Sequence, residues 1–272
     1  MSELGPDAIG PASIWDTACG SPLVDALGVA GDDVVAVVGG GGKTTAMFRL
    51  AREIVARGGC AITTTTTRIF AAQIALAPAH LTAADATQET VAAGLAAHRH
   101  LLVIGETDGT GKAAGVSLDL FGRLRTWCPR VCLVNEADGS RMRPLKAPAA
   151  HEPVIPIETT VVVPVVGADV FGKSLDAEHV HRADLVSALT GAPLGAPVTP
   201  HVVARVLANP LGGCKNVPAS ARVIVLINKV ETAADRKLAH ETADYLLTEP
   251  TIDAVVLAAV RGEKPVIEVL RR

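Results

Sequence analysis

No apolar run in this sequence approaches the ~18 residues of a membrane-spanning helix, so a membrane protein built on helices is not expected. The five cysteines, Cys19, Cys60, Cys128, Cys132 and Cys214, are odd in number and lack any C-x-x-C spacing. That excludes a disulfide framework and a thiolate zinc site, and it fits a reducing compartment. An excess of one charge is also missing: 25 Lys and Arg stand against 28 Asp and Glu, a net charge of -3. Without a basic stripe there is no footprint for phosphate backbones, and nucleic acid is not an expected partner. The opening MSELGPDAIG has neither a basic n-region nor an apolar h-region, so a cytoplasmic protein is expected. Internal repeats and low-complexity linkers are lacking too.

What is present is 49% hydrophobic residues, 19% charged residues and 25 glycines over 272 positions. The apolar content falls into short β-branched runs at 34–38, 60–66, 101–104, 131–135, 160–165, 223–228 and 254–258. Near-continuous apolar strands of this kind belong in a parallel sheet covered on both faces. Between the first two runs, residues 44–57 carry Met47, Leu50, Ala51, Ile54 and Val55 on one helical face and end at Gly58-Gly59. The expected architecture is an α/β three-layer sandwich of the P-loop NTPase type with a mostly parallel sheet. Residues 1–30 are expected as a short helical appendage and 31–272 as the P-loop domain.

The stretch VVAVVGGGGKTT, residues 34–45, has the order of strand, anion-binding loop and helix. Backbone N–H groups of such a loop converge on an anion, and the helix dipole places roughly half a positive charge there. Gly39, Gly40, Gly41 and Gly42 would supply the backbone, Lys43 would reach the β- and γ-phosphates, and Thr44 and Thr45 would open the helix, Thr44 as a Mg²⁺ ligand. Val37 stands where the longer G-x-x-x-x-G-K-[ST] pattern has its first glycine. The shorter G-x-x-G-K-T-T form resembles the loop of ATP-dependent enzymes of the Mur-ligase type.

A magnesium site beside this loop needs a carboxylate, and VCLVNEADGS offers Glu136 and Asp138 at a strand end. The run TTTTTR places Thr66, Thr67 and Arg68 at the same sheet edge, where they would contact substrate or sense the γ-phosphate. LINKVE ends another strand with Asn228, Lys229 and Glu231, similar to the N-K-x-D motif with which GTPases read guanine, with Glu in place of Asp. ATP and GTP both remain open as the nucleotide.

The proline-stiffened segment RMRPLKAPAAHEPVIP contains Arg141, Arg143, Lys146, His151 and Glu152. Its cations suit an anionic substrate, as does Lys173 in the FGKSLD loop. His179 and His181, with Glu178, are spaced for one face of a strand and raise the alternative of a second metal site. The loop GETDGTGKAAG, residues 105–115, lacks G-K-[ST] and is expected as a flexible loop.

Taken together, VVGGGGKTT, ITTTTTRIF, NEADGSRMRPLKAPAAHEPVIP, VVGADVFGKSLDAEHVHR and LINKVE resemble, in order, the selenium-dependent hydroxylase accessory protein family, often called YqeC. The resemblance implies a P-loop NTPase fold related to cofactor- and metal-delivery NTPases. It also implies a helper role in maturing molybdenum-containing hydroxylases, with such a hydroxylase or its cofactor as partner, and a homodimer by analogy with that group. A Mg²⁺-dependent NTPase switch is one reading. The other is an ATP-dependent kinase or ligase whose anionic acceptor sits on the 141–152 loop, and a nucleotide-binding regulator that does not hydrolyse is a third.

Overall fold

The computed structural model describes residues 21–272. In chain order its elements are α1 (Leu23–Ala26), β1 (Val34–Gly39), α2 (Lys43–Ala56), β2 (Ala61–Thr65), β3 (Arg68–Phe70), β4 (His80–Thr82), α3 (Gln88–His98), β5 (His100–Ile104), β6 (Lys112–Ala114) and α4 (Leu118–Trp127). They continue with β7 (Cys132–Glu136), β8 (Leu145–Lys146), β9 (Val161–Gly167), β10 (Val180–His181), α5 (Ala183–Thr190), α6 (Pro200–Ala208), β11 (Arg222–Asn228), α7 (Ala233–Leu246), β12 (Ala254–Ala258) and β13 (Val266–Arg271).

Nine strands form one sheet in the order β13-β12-β11-β9-β1-β7-β2-β5-β4. All pairings are parallel except β12 with β13. Strand periodicity sends alternate side chains to opposite faces. In β1, Val35 and Val37 join a core with Leu50, Ala51 and Ile54 of α2 and Leu23 of α1, whereas Ala36 and Val38 pack on the other side. That other side is closed by α3 and α4 over β2 and β5 and by α5, α6 and α7 over β11 and β12. The result is the three-layer α/β arrangement, with both sheet faces buried.

All seven runs expected as strands lie in this sheet, as β1, β2, β5, β7, β9, β11 and β12. The two outer strands, β4 and β13, lacked a continuous apolar signal. β4 has three residues, and β13 is interrupted by Glu268, whose carboxylate meets Arg236 at 2.6 Å and His240 at 3.0 Å. Residues 1–20 of the expected appendage lie outside the described residues, Cys19 among them. Its remainder is packed into the main core: Leu23, Val24, Ala26 and Leu27 are buried, and the Val24 N–H donates to Glu53 of α2 at 2.8 Å.

The segment expected as a flexible loop, 105–115, is instead a built element. β6 pairs antiparallel with β3, in register Phe70 with Lys112, and Asp108 accepts from the N–H groups of Thr110 at 2.9 Å and Lys112 at 3.2 Å. Two of its four glycines, Gly105 and Gly115, serve close approach: a Cβ on Gly115 would press into the backbone of Thr65 and Thr66. No helix among the described residues is long and apolar enough to cross a membrane.

Candidate nucleotide site

The glycine loop leaves the end of central strand β1 and enters α2 at Lys43. Its path depends on glycine most acutely at Gly41, with φ 72°, where a Cβ would collide with the backbone N of Gly167 at the end of β9. Three of its N–H groups are tied to protein: Gly39 to Asp138 at 3.1 Å, Gly40 to the Val165 carbonyl at 2.9 Å and Gly41 to the Arg143 carbonyl at 3.1 Å. Gly42 is the N-cap of α2, which has no side-chain cap and no acidic residue in its first turn. The N–H groups of that turn have no intrahelical acceptor, and the positive end of the helix dipole faces the cleft.

β7 runs parallel to β1 and β2, with Glu136 opposite Val37 and Thr65. This register carries the Glu136 carboxylate to the foot of the loop, where the Thr44 hydroxyl donates to it at 2.7 Å. Lys43 is 3% exposed, and its ammonium donates to the Gly39 carbonyl at 2.7 Å. Burial alone would depress this lysine, yet Asp138 and Glu136 outweigh it and hold it above its ordinary value. Burial pushes the Glu136 carboxyl up, with Lys43 and the Thr44 hydroxyl offsetting part of the effect.

Lys43 begins an alternating chain of buried and half-buried charges. Glu136 lies 3.5 Å from Lys43, Lys43 3.3 Å from Asp138, Asp138 3.0 Å from Lys146, Lys146 2.8 Å from Glu152, and Glu152 2.7 Å from Arg182. Three cations and three carboxylates balance, which lets the sequence carry this many charges under one sheet edge. Burial would raise the Glu152 carboxyl, but Lys146 and Arg182 hold it down at about 2.

Asn228, at the end of β11, closes the other side of the loop. Its amide donates to the Gly41 carbonyl at 2.8 Å, and its side-chain oxygen accepts from Val260 N–H at 3.0 Å. Lys229 follows with φ 62° and ion-pairs with Asp169 at 2.7 Å. Glu231 is exposed, and its N–H belongs to the cap of α7 through Asp235 at 3.2 Å.

A cleft of about 690 Å³ opens over these strand ends. Of the residues singled out in the sequence, Gly41, Gly42, Lys43, Thr44, Thr45, Thr66, Thr67, Arg68, Glu136, Arg141, His151, Glu152 and Lys229 line it. Gly39 and Gly40 stand behind it, holding the loop by their hydrogen bonds. Asp138, expected beside Glu136 as a metal ligand, is committed to Gly39, Lys43 and Lys146 and does not line the cleft. Lys146 is likewise engaged within the ion chain, and Arg143 contributes its carbonyl to the loop.

Lys173 lies outside the cleft, its backbone tied to Val170 and Val198. The alternative metal group is not assembled. The His179 ring bonds Asp176 at 2.9 Å within its own turn, and no group of three His, Cys, Asp or Glu among the described residues is placed to hold an ion. Burial, aided by the neighbouring charges of Arg182, Lys146 and Arg141, pushes the His181 imidazole down to about 4.

The cleft also contains residues that the motifs did not flag: Phe70, Gln73, Lys112, Met142 and Arg261. Arg261 follows β12 at a strand end and could have been found by that rule. Lys112 and Phe70 arrive only through the β3–β6 pairing. Arg141 and Met142 occupy adjacent positive-φ positions, 50° and 61°, at a cost of about 1–3 kcal/mol each. A further cavity of about 440 Å³ lies between α6 and α7, lined in part by His201, Arg205 and Tyr245, away from the strand ends.

Strand, glycine loop and helix at the centre of a mostly parallel sheet define an α/β protein of the P-loop NTPase fold class. The profile of the YqeC protein family matches residues 35–184, more than half of the chain. The chain belongs to the YqeC protein family. It is 31% identical over 159 residues to "Uncharacterized protein YqeC" of Escherichia coli (strain K12), covering 58% of this chain and 60% of that relative. Among solved structures, the crystal structure of FtsY from Mycoplasma mycoides aligns over 92% of this chain and 70% of its own, with 11% identity and a TM-score of 0.37.

Proposed function

We propose that this protein binds a nucleoside triphosphate with Mg²⁺ in the strand-end cleft and hydrolyses it, acting in the cytoplasm as an accessory factor in the maturation of molybdenum-containing, selenium-dependent hydroxylases. The observation that carries the nucleotide reading is the 2.7 Å contact between Thr44 and Glu136 at the foot of an uncapped glycine loop beside Lys43. A hydroxyl and a carboxylate are hard oxygen donors, the kind Mg²⁺ takes at a phosphate site, and both line the cleft. Thr44 and Glu136 would hold such an ion, which would supply positive charge against the phosphates.

The chain's own groups account for the rest. The free N–H groups of the first turn of α2 receive phosphate oxygens. Lys43 is kept charged by Glu136 and Asp138, so it is ready to shift from the Gly39 carbonyl to a phosphate. Asn228 fixes the loop to the 259–263 segment, where Lys229 and Arg261 line the side of the cleft suited to a base. The maturation role and a molybdenum hydroxylase client rest on the family resemblance and not on this chemistry.

Phosphate release from ATP and GTP with Mg²⁺ tests the proposal, with and without a molybdenum hydroxylase added. Turnover that is lost in Lys43→Ala and raised by the client supports it. Tight nucleotide binding with no release under either condition would leave a regulator that does not hydrolyse. An acceptor-dependent enzyme remains a second reading because the cleft extends well past the glycine loop, toward Phe70 and Lys112.

A further inference from the structure

The connection between β12 and β13 brings Arg261 to the cleft, and two elements from elsewhere in the chain hold it there. From β11, the Asn228 side-chain oxygen accepts from the Val260 N–H at 3.0 Å. From α2, the Arg49 guanidinium donates to the Gly262 carbonyl at 2.8 Å and to the Glu263 carbonyl at 3.3 Å, 213 and 214 positions away. Arg49 is itself oriented: its Nε donates to Glu53, one turn further along the helix, at 2.5 Å. The other Glu53 oxygen accepts from the Val24 N–H at 2.8 Å, so α1 braces the same carboxylate. Val260 is buried in one core with Met47 and Leu50 of α2. Its neighbour Arg261 is exposed and forms no ion pair among the described residues.

Both tethers start from the phosphate end of the cleft. Arg49 belongs to the helix that the glycine loop opens, and Asn228 also donates to the Gly41 carbonyl within that loop. The separation between the glycine loop and Arg261 is therefore set by the frame before any ligand arrives. A guanidinium presents its N–H groups in a fixed fork, and on two successive carbonyls that fork sets the path of a segment as a single ammonium does not. We infer that Arg49 is a positioning residue for the nucleoside: it fixes the 260–263 segment so that the Arg261 side chain meets the base of a nucleotide whose phosphates lie on the glycine loop. This assignment rests on the nucleotide reading proposed above. A guanidinium lies flat against any nucleobase, so Arg49 acts on nucleoside affinity and not on the choice between ATP and GTP.

The test compares calorimetric binding of Mg²⁺-ATP and Mg²⁺-GTP with that of Mg²⁺-tripolyphosphate, which has the phosphates without sugar or base. Arg49→Lys keeps a cation beside Glu53, but one ammonium cannot fork to two carbonyls. Nucleotide affinity is expected to fall about fivefold or more in Arg49→Lys and about tenfold in Arg261→Ala, while tripolyphosphate stays within about twofold of wild type in both. Arg49→Lys added to Arg261→Ala should cost less than about twofold more, because both changes act on one contact. Equal weakening of tripolyphosphate and nucleotide, or losses that add in the double variant, would make Arg49 a structural residue only and overturn the inference. Nucleotide affinity unchanged in Arg49→Lys or in Arg261→Ala would overturn it as well. Should Arg49→Lys fail to fold, Glu53→Gln decides: it removes the charge that orients Arg49 and is expected to weaken nucleotide about threefold with tripolyphosphate unchanged, and no change in nucleotide would overturn the inference. A wild type that binds neither nucleotide would overturn the nucleotide reading and the inference with it, whereas normal nucleotide binding in the variants removes the inference alone.

Discussion

The Thr44 hydroxyl donates to Glu136 at 2.7 Å, joining the first turn of α2 to the end of β7 across 92 positions of sequence. Two strands must run parallel and in the register Val37 with Glu136 for this contact to exist. It places an oxygen pair beside a buried lysine, at a helix start that has no side-chain cap.

Replacing Thr44 with Val keeps the volume and removes the hydroxyl. Nucleotide affinity in the presence of Mg²⁺ is expected to fall about tenfold or more, with little change when the ion is chelated. Calorimetric titrations with and without Mg²⁺ read the difference. An equal loss in both conditions would mean that Thr44 serves the loop and not the ion.

Asp138→Asn breaks the ion chain at its centre and leaves Lys43 and Lys146 with one carboxylate fewer. Removing one partner from a buried charge network costs on the order of 3–5 kcal/mol, so the urea midpoint should drop strongly at unchanged slope. A loss under ~1 kcal/mol would contradict the chain as a structural unit.

Asn228→Ala strands the Gly41 carbonyl and the Val260 N–H, two buried partners, at about 1–3 kcal/mol each. Asn228→Asp keeps an acceptor for Val260 but turns a carboxylate oxygen toward the Gly41 carbonyl, so it should be at least as harmful. Thermal unfolding and nucleotide affinity are both expected to suffer. A variant with normal stability and normal affinity would remove Asn228 from the site.

His100 gives the pH dependence. Its ring shares a 2.9 Å hydrogen bond with Thr63 inside the sheet, and burial, aided by Arg52, pushes it down to about 4 from an ordinary 6.5. The folded state therefore binds fewer protons here than the unfolded state. Stability is full above pH ~6.5 and is lost as pH falls toward 4, at up to about 1.4 kcal/mol per pH unit. The raised Glu136 carboxyl works in the opposite direction, so the quantity to read is wild type minus His100→Gln across this window. Parallel stability curves for the two proteins would contradict a neutral buried imidazole. Glu152, held down at about 2, adds its own loss only below its unfolded value of 4.5.

Much of the fold is written locally. Val34 to Val38, the glycine run and the amphipathic 44–57 stretch determine their elements from neighbours alone, and the seven apolar strands are legible for the same reason. The edge strands are not, because β13 carries Glu268 and β4 is three residues long. The site divides likewise. Lys43, Thr44 and Glu136 stand at positions that a motif can mark. Asp138 and Lys146 also looked like ligand contacts, since no local signal tells a residue that touches a ligand from one that neutralises the residue that does. Arg182 and Lys112 reach their partners through pairings of β8 with β10 and of β3 with β6, which only the folded chain assembles.

The most direct test of the central claim is calorimetric titration of ATP and GTP, each with Mg²⁺, into the wild-type protein and into Lys43→Ala. The expected result is saturable binding of a triphosphate to the wild type, lost or weakened at least about tenfold in the variant while the fold is retained. GTP preference would assign Asn228 and Lys229 to guanine, and ATP preference would direct attention to the distal half of the cleft. Failure of both nucleotides to bind the wild type, or binding that Lys43→Ala leaves unchanged, would contradict the nucleotide site.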